Sequence, residues 1–197
     1  MDKPIAVIGF GSLIWDLEIL TPLVRGPWQM DKGPLLPLEF TRISPKRKLA
    51  LALCIDLMDG KDCMTSVIHS TRTTVAEARR DLARRERAPE GFIGAICLNT
   101  GLMGGRPRTA GIVGQWCQQA GYSGAVWTDI LPNFIAQQNV DWTVRDGIDY
   151  LKTLDEEGLA EAVQYIELAP RAVDTPLRRG LAKDDWWQEQ KARFLPG

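Results

Sequence analysis

The stretch "IAVIGFGSLIW", residues 5–15, poses the question on which the fold and the function both turn. Ile5 to Ile8 read as a buried strand, and the run then breaks into Gly9-Phe10-Gly11-Ser12 before apolar character resumes at Leu13. A strand ending in two glycines and a serine makes a sharp turn at which backbone can approach a ligand closely. A dinucleotide loop would require G-x-G-x-x-G opening a helix, with an acidic residue about 20 positions on. Here the third glycine position is Ile14, whose bulk prevents that close approach. A phosphate loop would require G-x-x-x-x-G-K-[ST], and no lysine follows this turn. Two readings remain: a cradle in which successive N–H groups hold a small anion, or a tight strand-ending turn with no ligand.

The rest of the composition narrows the setting. At 197 residues the chain fits one domain, or at most one domain with a substantial helical appendage, and 45% hydrophobic with 25% charged residues is ordinary globular composition. Lys and Arg (24) nearly balance Asp and Glu (25), so no overall field favours nucleic acid or an anionic membrane. No apolar run approaches the roughly 20 residues that span a bilayer. The opening "MDKPIAVIG" enters a strand-like run almost at once instead of a secretion signal, so the expectation is a cytoplasmic protein. Cys54, Cys63, Cys97 and Cys117 lie 9, 34 and 20 positions apart, without the close pairs of a zinc site. Cys54 and Cys97 fall in apolar runs and read as core hydrophobes. The single histidine, His69 in "SVIHS", reads as a strand residue in preference to half of a Cys–His nucleophilic pair.

Along the chain, "LIWDLEILTP" is a short helix or irregular segment, and the proline- and glycine-rich residues 22–37 read as a surface connection. "LEFTRIS", "KLALALCID", "TSVIHST" and "FIGAICLNT" read as strands. "GLMGGRPRTAG" reads as a glycine-rich loop, and "IVGQWC" and "SGAVWTDI" lie between strand and turn. From residue 141 the pattern becomes helical. Thr143 with Asp146 resembles a capping box, Asp155 caps a second helix, and "KDDWWQEQKARF" is a last one after the loop "APRAVDTPLRRG". The expectation is a single α+β domain, with a core over about 1–130 and a helical tail over about 141–197. Its mixed sheet is expected to be curled or closed into a small barrel, flanked by helices.

The clearest helix runs from Val75 to about Arg87, with Gly91 ending it. Val75, Ala78 and Leu82 share one face, and four residues on the same stripe reaches Glu86. The arginines are expected to face water, with Glu77–Arg80, Asp81–Arg84 and Asp81–Arg85 as pairs. Interleaved acids argue against a phosphate-tracking surface. A carboxylate at the inner end of an apolar face suits a general acid or base, although the same position also suits an ordinary boundary residue paired with arginine.

Together, Gly9-Phe10-Gly11-Ser12-Leu13 and Leu82-Ala83-Arg84-Arg85-Glu86 resemble the motifs of the gamma-glutamylcyclotransferase-like family. The resemblance covers about residues 5–95. It implies a small mixed β-barrel with flanking helices. It further implies that the loop Phe10, Gly11, Ser12 and Leu13 binds a substrate α-carboxylate through backbone amides, and that Glu86 is the catalytic proton carrier. The family's tyrosine before Gly-Ser is Phe10 here, and the tyrosine many relatives carry after the glutamate is Phe92.

The activity so implied is a transferase- or lyase-type release of 5-oxoproline and a free amine from a gamma-glutamyl compound. It uses no cofactor and no metal, and its partner is the small-molecule substrate, with neither nucleic acid nor membrane involved. The alternative is a non-catalytic binder of an amino-acid-like molecule on the same fold.

Overall fold

The computed structural model describes residues 3–195, so Met1 and Asp2 of the opening stretch and the last two residues lie outside the description. The chain divides into two compact units, Met1–Leu36 with Met64–Ile130 and Pro37–Cys63 with Leu131–Gly197. One of the divisions falls between Ile130 and Leu131. The segment Pro37–Cys63, however, belongs with the C-terminal helices.

The strands are β1 (Ile5–Gly9), β2 (Val24–Gln29), β3 (Leu35–Ile43), β4 (Leu51–Ile55), β5 (Lys61–Met64), β6 (Ser66–Ser70), β7 (Ile93–Cys97), β8 (Met103–Gly104) and β9 (Gly124–Thr128). The helices are α1 (Val75–Glu86), α2 (Pro107–Ala120), α3 (Phe134–Gln138), α4 (Val144–Leu151), α5 (Glu156–Leu168), α6 (Pro176–Leu181) and α7 (Asp185–Phe194).

The first unit holds a six-stranded mixed sheet in the order β2-β6-β1-β9-β7-β8. β1 runs antiparallel to β6, with Val7 opposite Ile68, and parallel to β9, with Val7 opposite Val126. Every residue of β1 is buried, which is why the run is apolar throughout and does not alternate. Ile5 and Val7 join Leu82, Ala78, Val75, Ile93 and Val126 in one core cluster, so the apolar stripe of α1 packs as its spacing predicts.

The sheet ends at β2 and β8 and is therefore open, which corrects the expectation of a closed barrel. Its two edges are built in ways that discourage further pairing. β8 has only two residues, and β2 has a register shift between Arg25 and Gln29, where Gly26 turns at φ +77° and Pro27 lacks an N–H. β2 itself lies in the segment read from sequence as a surface connection. α2 is a second difference. "IVGQWC" is helical, with Ala110, Val113 and Cys117 buried at helical spacing, and its glycines masked that period.

The second unit holds the three-stranded sheet β4-β3-β5 and helices α3 to α7. Thr143 and Asp155 cap α4 and α5 as expected, accepting from the N–H groups of Asp146 and Gly158. α6 lies in a stretch read as loop; Pro176 at its start and Thr175 as its cap are the signals that mark it. Glu39 on β3 anchors α6. Its fully buried carboxylate accepts from the backbone N–H of Phe40 at 2.8 Å and from that of Leu177, in the first turn of α6, at 3.1 Å. No helix among the described residues is long and apolar enough to cross a membrane.

Burial pushes the Glu39 carboxyl from an ordinary 4.5 up to about 7, against the lowering effect of the donors around it. An acid whose pKa is raised in the fold binds more protons folded than unfolded, so stability falls as pH climbs through that window. We therefore expect urea unfolding to show a loss of up to about 3 kcal/mol between pH 4.5 and pH 7 from this group. Glu39→Gln should flatten that part of the profile, and an unchanged profile in the variant would assign the pH dependence elsewhere.

Candidate functional site

β1 ends at Gly9, opposite Ser66. A Cβ at Gly9 would come within 2.6 Å of the Trp28 ring, so this glycine is required by close packing. The chain then turns through Gly11 into a single 3-10 turn, Ser12–Ile14. Ile14 N–H donates to the Gly11 carbonyl at 3.0 Å, and Trp15 and Asp16 N–H both donate to the Ser12 carbonyl. Phe10, Ser12 and Leu13 are buried. Among the described residues, the N–H groups of Gly11, Ser12 and Leu13 donate to no carbonyl or side chain, leaving three consecutive donors unused at one bend.

Glu86 is the last residue of α1, and its side chain is only 14% exposed. The end of the helix brings it to the same place as the loop. Arg85, 2% exposed, donates from Nη1 to Glu86 Oε1 at 2.9 Å. From Nη2 it donates to the Asp16 carbonyl at 2.6 Å and to Ser12 Oγ at 3.4 Å. Thr128 at the end of β9 donates its hydroxyl to the same Glu86 Oε1 at 3.3 Å. One guanidinium thus stands between the loop and the carboxylate. Its Nε is also buried and has no partner among the described residues.

The predicted residues therefore divide clearly. Phe10, Gly11, Ser12 and Leu13 form one bend, and Glu86 reaches Ser12 through Arg85. Sequence reasoning placed the arginines of α1 toward water, and two of them correct that expectation. Arg85 points inward, and Arg79 is spent on the Ile93 and Glu90 carbonyls. Asp81, expected to pair along the helix, is buried and binds Arg72 instead. Leu82 has two inner neighbours one turn later, at i+3 and i+4. Following only the i+4 step found Glu86 and missed Arg85.

Gly91 does not end the helix. Arg87 does, at φ +53°, with its N–H on the Ala83 and Arg84 carbonyls. Its guanidinium binds the carboxylate of Glu18 at 2.9 Å, and Glu18 itself sits at φ +48°. Each such left-handed residue stores about 1–3 kcal/mol and persists where its surroundings fix it. Two of them, bound to each other, flank the bend and the helix end.

The other candidate chemistry is accounted for locally. The His69 ring nitrogen Nε2 is within hydrogen-bond distance of Gln29 Nε2 (3.1 Å) and the Tyr122 hydroxyl (3.2 Å), and its ring packs edge-on against Tyr122. Burial, with help from Arg25, pulls its pKa down. Cys54, Cys63 and Cys117 are buried free thiols, and Cys97 is half-buried. Among the described residues no group of three or more His, Cys, Asp or Glu side chains could hold a metal ion. No protein-family model matches the chain, and neither does any curated protein or solved structure.

Proposed function

We propose that this protein is a gamma-glutamylcyclotransferase-like enzyme, with the Phe10–Leu13 bend as the seat of the substrate α-carboxylate and Glu86 as its proton carrier. The observation that carries the reading is the placement of Glu86 one guanidinium away from Ser12, beside three unused backbone donors. A gamma-glutamyl group carries its α-amine on the same carbon as its α-carboxylate. A carboxylate held by the N–H groups of Gly11, Ser12 and Leu13 would therefore present the amine within a few bonds of Glu86.

The reaction balances without a protein nucleophile. Glu86 takes a proton from the substrate α-ammonium, whose ordinary pKa is about 8. The freed nitrogen attacks the γ-carbonyl carbon, and the C–N bond to the departing amine breaks as Glu86 returns that proton to it; the ring nitrogen sheds its second proton on becoming the lactam N–H, and the departing amine takes it up to leave as an ammonium ion. The products are 5-oxoproline and a free amine. Proton transfer of this kind contributes about 100- to 10,000-fold, and folding the flexible chain into attack geometry adds to it.

Arg85 supplies the specific argument for the second reading, a binder of an amino-acid-like molecule without turnover. In this structure the carboxylate that must accept a proton is already paired with a guanidinium, and Phe10 supplies no phenolic hydroxyl. Incubation with gamma-glutamyl amines and dipeptides separates the two. Formation of 5-oxoproline supports the enzyme, and saturable binding without it supports the binder.

Glu86→Gln keeps an acceptor for Arg85 and Thr128 but removes the proton carrier, so substrate binding should survive while turnover falls about 100-fold or more. Loss of the counter-charge to a buried guanidinium should also lower the melting temperature, so activity is compared well below it. Near-normal turnover in this variant would remove Glu86 from the mechanism.

The bend is tested by bulk. Gly11→Val should abolish binding by obstructing the amides, whereas Ser12→Ala should only weaken it, since it removes one 3.4 Å contact to Arg85. Equal tolerance of both substitutions would make the bend purely structural.

A further inference from the structure

The second unit contains a cavity of about 290 Å³ that the proposed chemistry does not use. This is near the lower end of pockets that hold small molecules. Its walls include Pro132, Phe134 and Trp142, with Met58 at the rim, 89% exposed. The Phe134 and Trp142 rings meet edge to face, with centroids 4.8 Å apart and planes at 86°. This arrangement holds the two aromatic side chains at a fixed mutual angle.

Two carboxylates line the same cavity. Asp56 is buried, and its Oδ2 accepts from the Thr41 hydroxyl at 2.6 Å while Oδ1 accepts from the N–H groups of Met58 and Asp59. These bonds fix its charge in place at the end of β4. Asp59 lies on the exposed side, and burial together with the charges of Asp56 and Asp141 pushes its carboxyl above the ordinary range. Among the described residues no lysine or arginine forms an ion pair with Asp56, Asp59 or Asp141. The guanidinium of Arg42, next to Thr41 in sequence, is directed to the Leu131 carbonyl, so the two carboxylates of the cavity carry no directly bonded counter-ion among the described residues. The acids are also not grouped as metal ligands would be.

An apolar body fits the walls, a positive charge fits the uncompensated acids, and aromatic faces attract organic cations in particular. We propose that this cavity binds a small organic ammonium ion, with its apolar body against Phe134 and Trp142 and its charge toward Asp56 and Asp59.

The test is calorimetric titration of the full chain near neutral pH with three probes that share one ring system: tryptamine, indole-3-ethanol and indole-3-acetate. Tryptamine should bind saturably and at least about tenfold more tightly than the neutral alcohol, with the anion weakest. Asp59→Asn, an exposed change that leaves the buried Asp56 network intact, should erase most of the gap between tryptamine and the alcohol. Trp142→Leu should weaken both of those probes. Circular dichroism establishes that each variant is folded. Three probes of equal affinity, no saturable tryptamine binding at millimolar concentration, or tryptamine binding indifferent to both substitutions would overturn the proposal.

Discussion

A guanidinium removed from water needs hydrogen bonds and a counter-charge inside the protein, and the two Nη groups of Arg85 find both at one place, with Nε left unpartnered among the described residues. The Asp16 carbonyl, the Ser12 hydroxyl and the Glu86 carboxylate each take a bond from it. Breaking one side of such a pair typically costs about 3–5 kcal/mol, because the remaining charge is left buried and alone. The bend after β1 and the end of α1 are therefore tied through a single side chain, and the left-handed pair Glu18–Arg87 ties the same two segments again closer to solvent. Glu86 has a structural reason to be acidic whatever chemistry it performs. A glutamate at this position serves as counter-ion in the resting fold, and any proton transfer must work from that starting point.

The second unit handles its buried acids differently. Among the described residues Glu39 and Asp56 form no ion pair and are held by neutral donors: backbone N–H groups for both, with the Thr175 hydroxyl for Glu39 and the Thr41 hydroxyl for Asp56. Neutral donors satisfy the lone pairs but leave the charge unbalanced, so Glu39 tends toward its protonated form. Arg85 with Glu86, by contrast, is balanced in charge.

The legible parts of the sequence were those in which one period or one cap acts alone. The unbroken apolar run of β1 announced a strand buried on both faces, and the stripe Val75–Ala78–Leu82 announced α1. Thr143 and Asp155 announced two helix starts through local hydrogen bonds that need no tertiary context. The readings that failed depended on partners distant in sequence or on glycine obscuring a period. β2 is a strand only because β6 offers it an edge, and its Gly26 and Pro27 spell a connection when read locally. With Gly111 and Gly114 in it, α2 reads as a loop running into a segment between strand and turn. An open sheet and a closed barrel share the same strand signals; the difference lies in whether the outermost strands meet. At the candidate site the bend and the carboxylate were both readable. Arg85 was legible only as the i+3 neighbour of Leu82, a sign that a run of arginines hides when the i+4 step alone is followed.

The division of the chain has a consequence for the order in which the protein can be made. The polypeptide passes between the two units at residues 36–37, 63–64 and 130–131. β1 leaves the ribosome more than a hundred residues ahead of its parallel neighbour β9. β3 and β4 emerge in between and wait for helices that come after residue 130. The first unit has all its residues once Ile130 has emerged, but the second, begun at Pro37, needs the helices that follow Leu131, so the two are not made one after the other as consecutive domains are. Between residues 64 and 124 the three-stranded sheet has all its strands but none of its helices, while the six-stranded sheet still lacks β9.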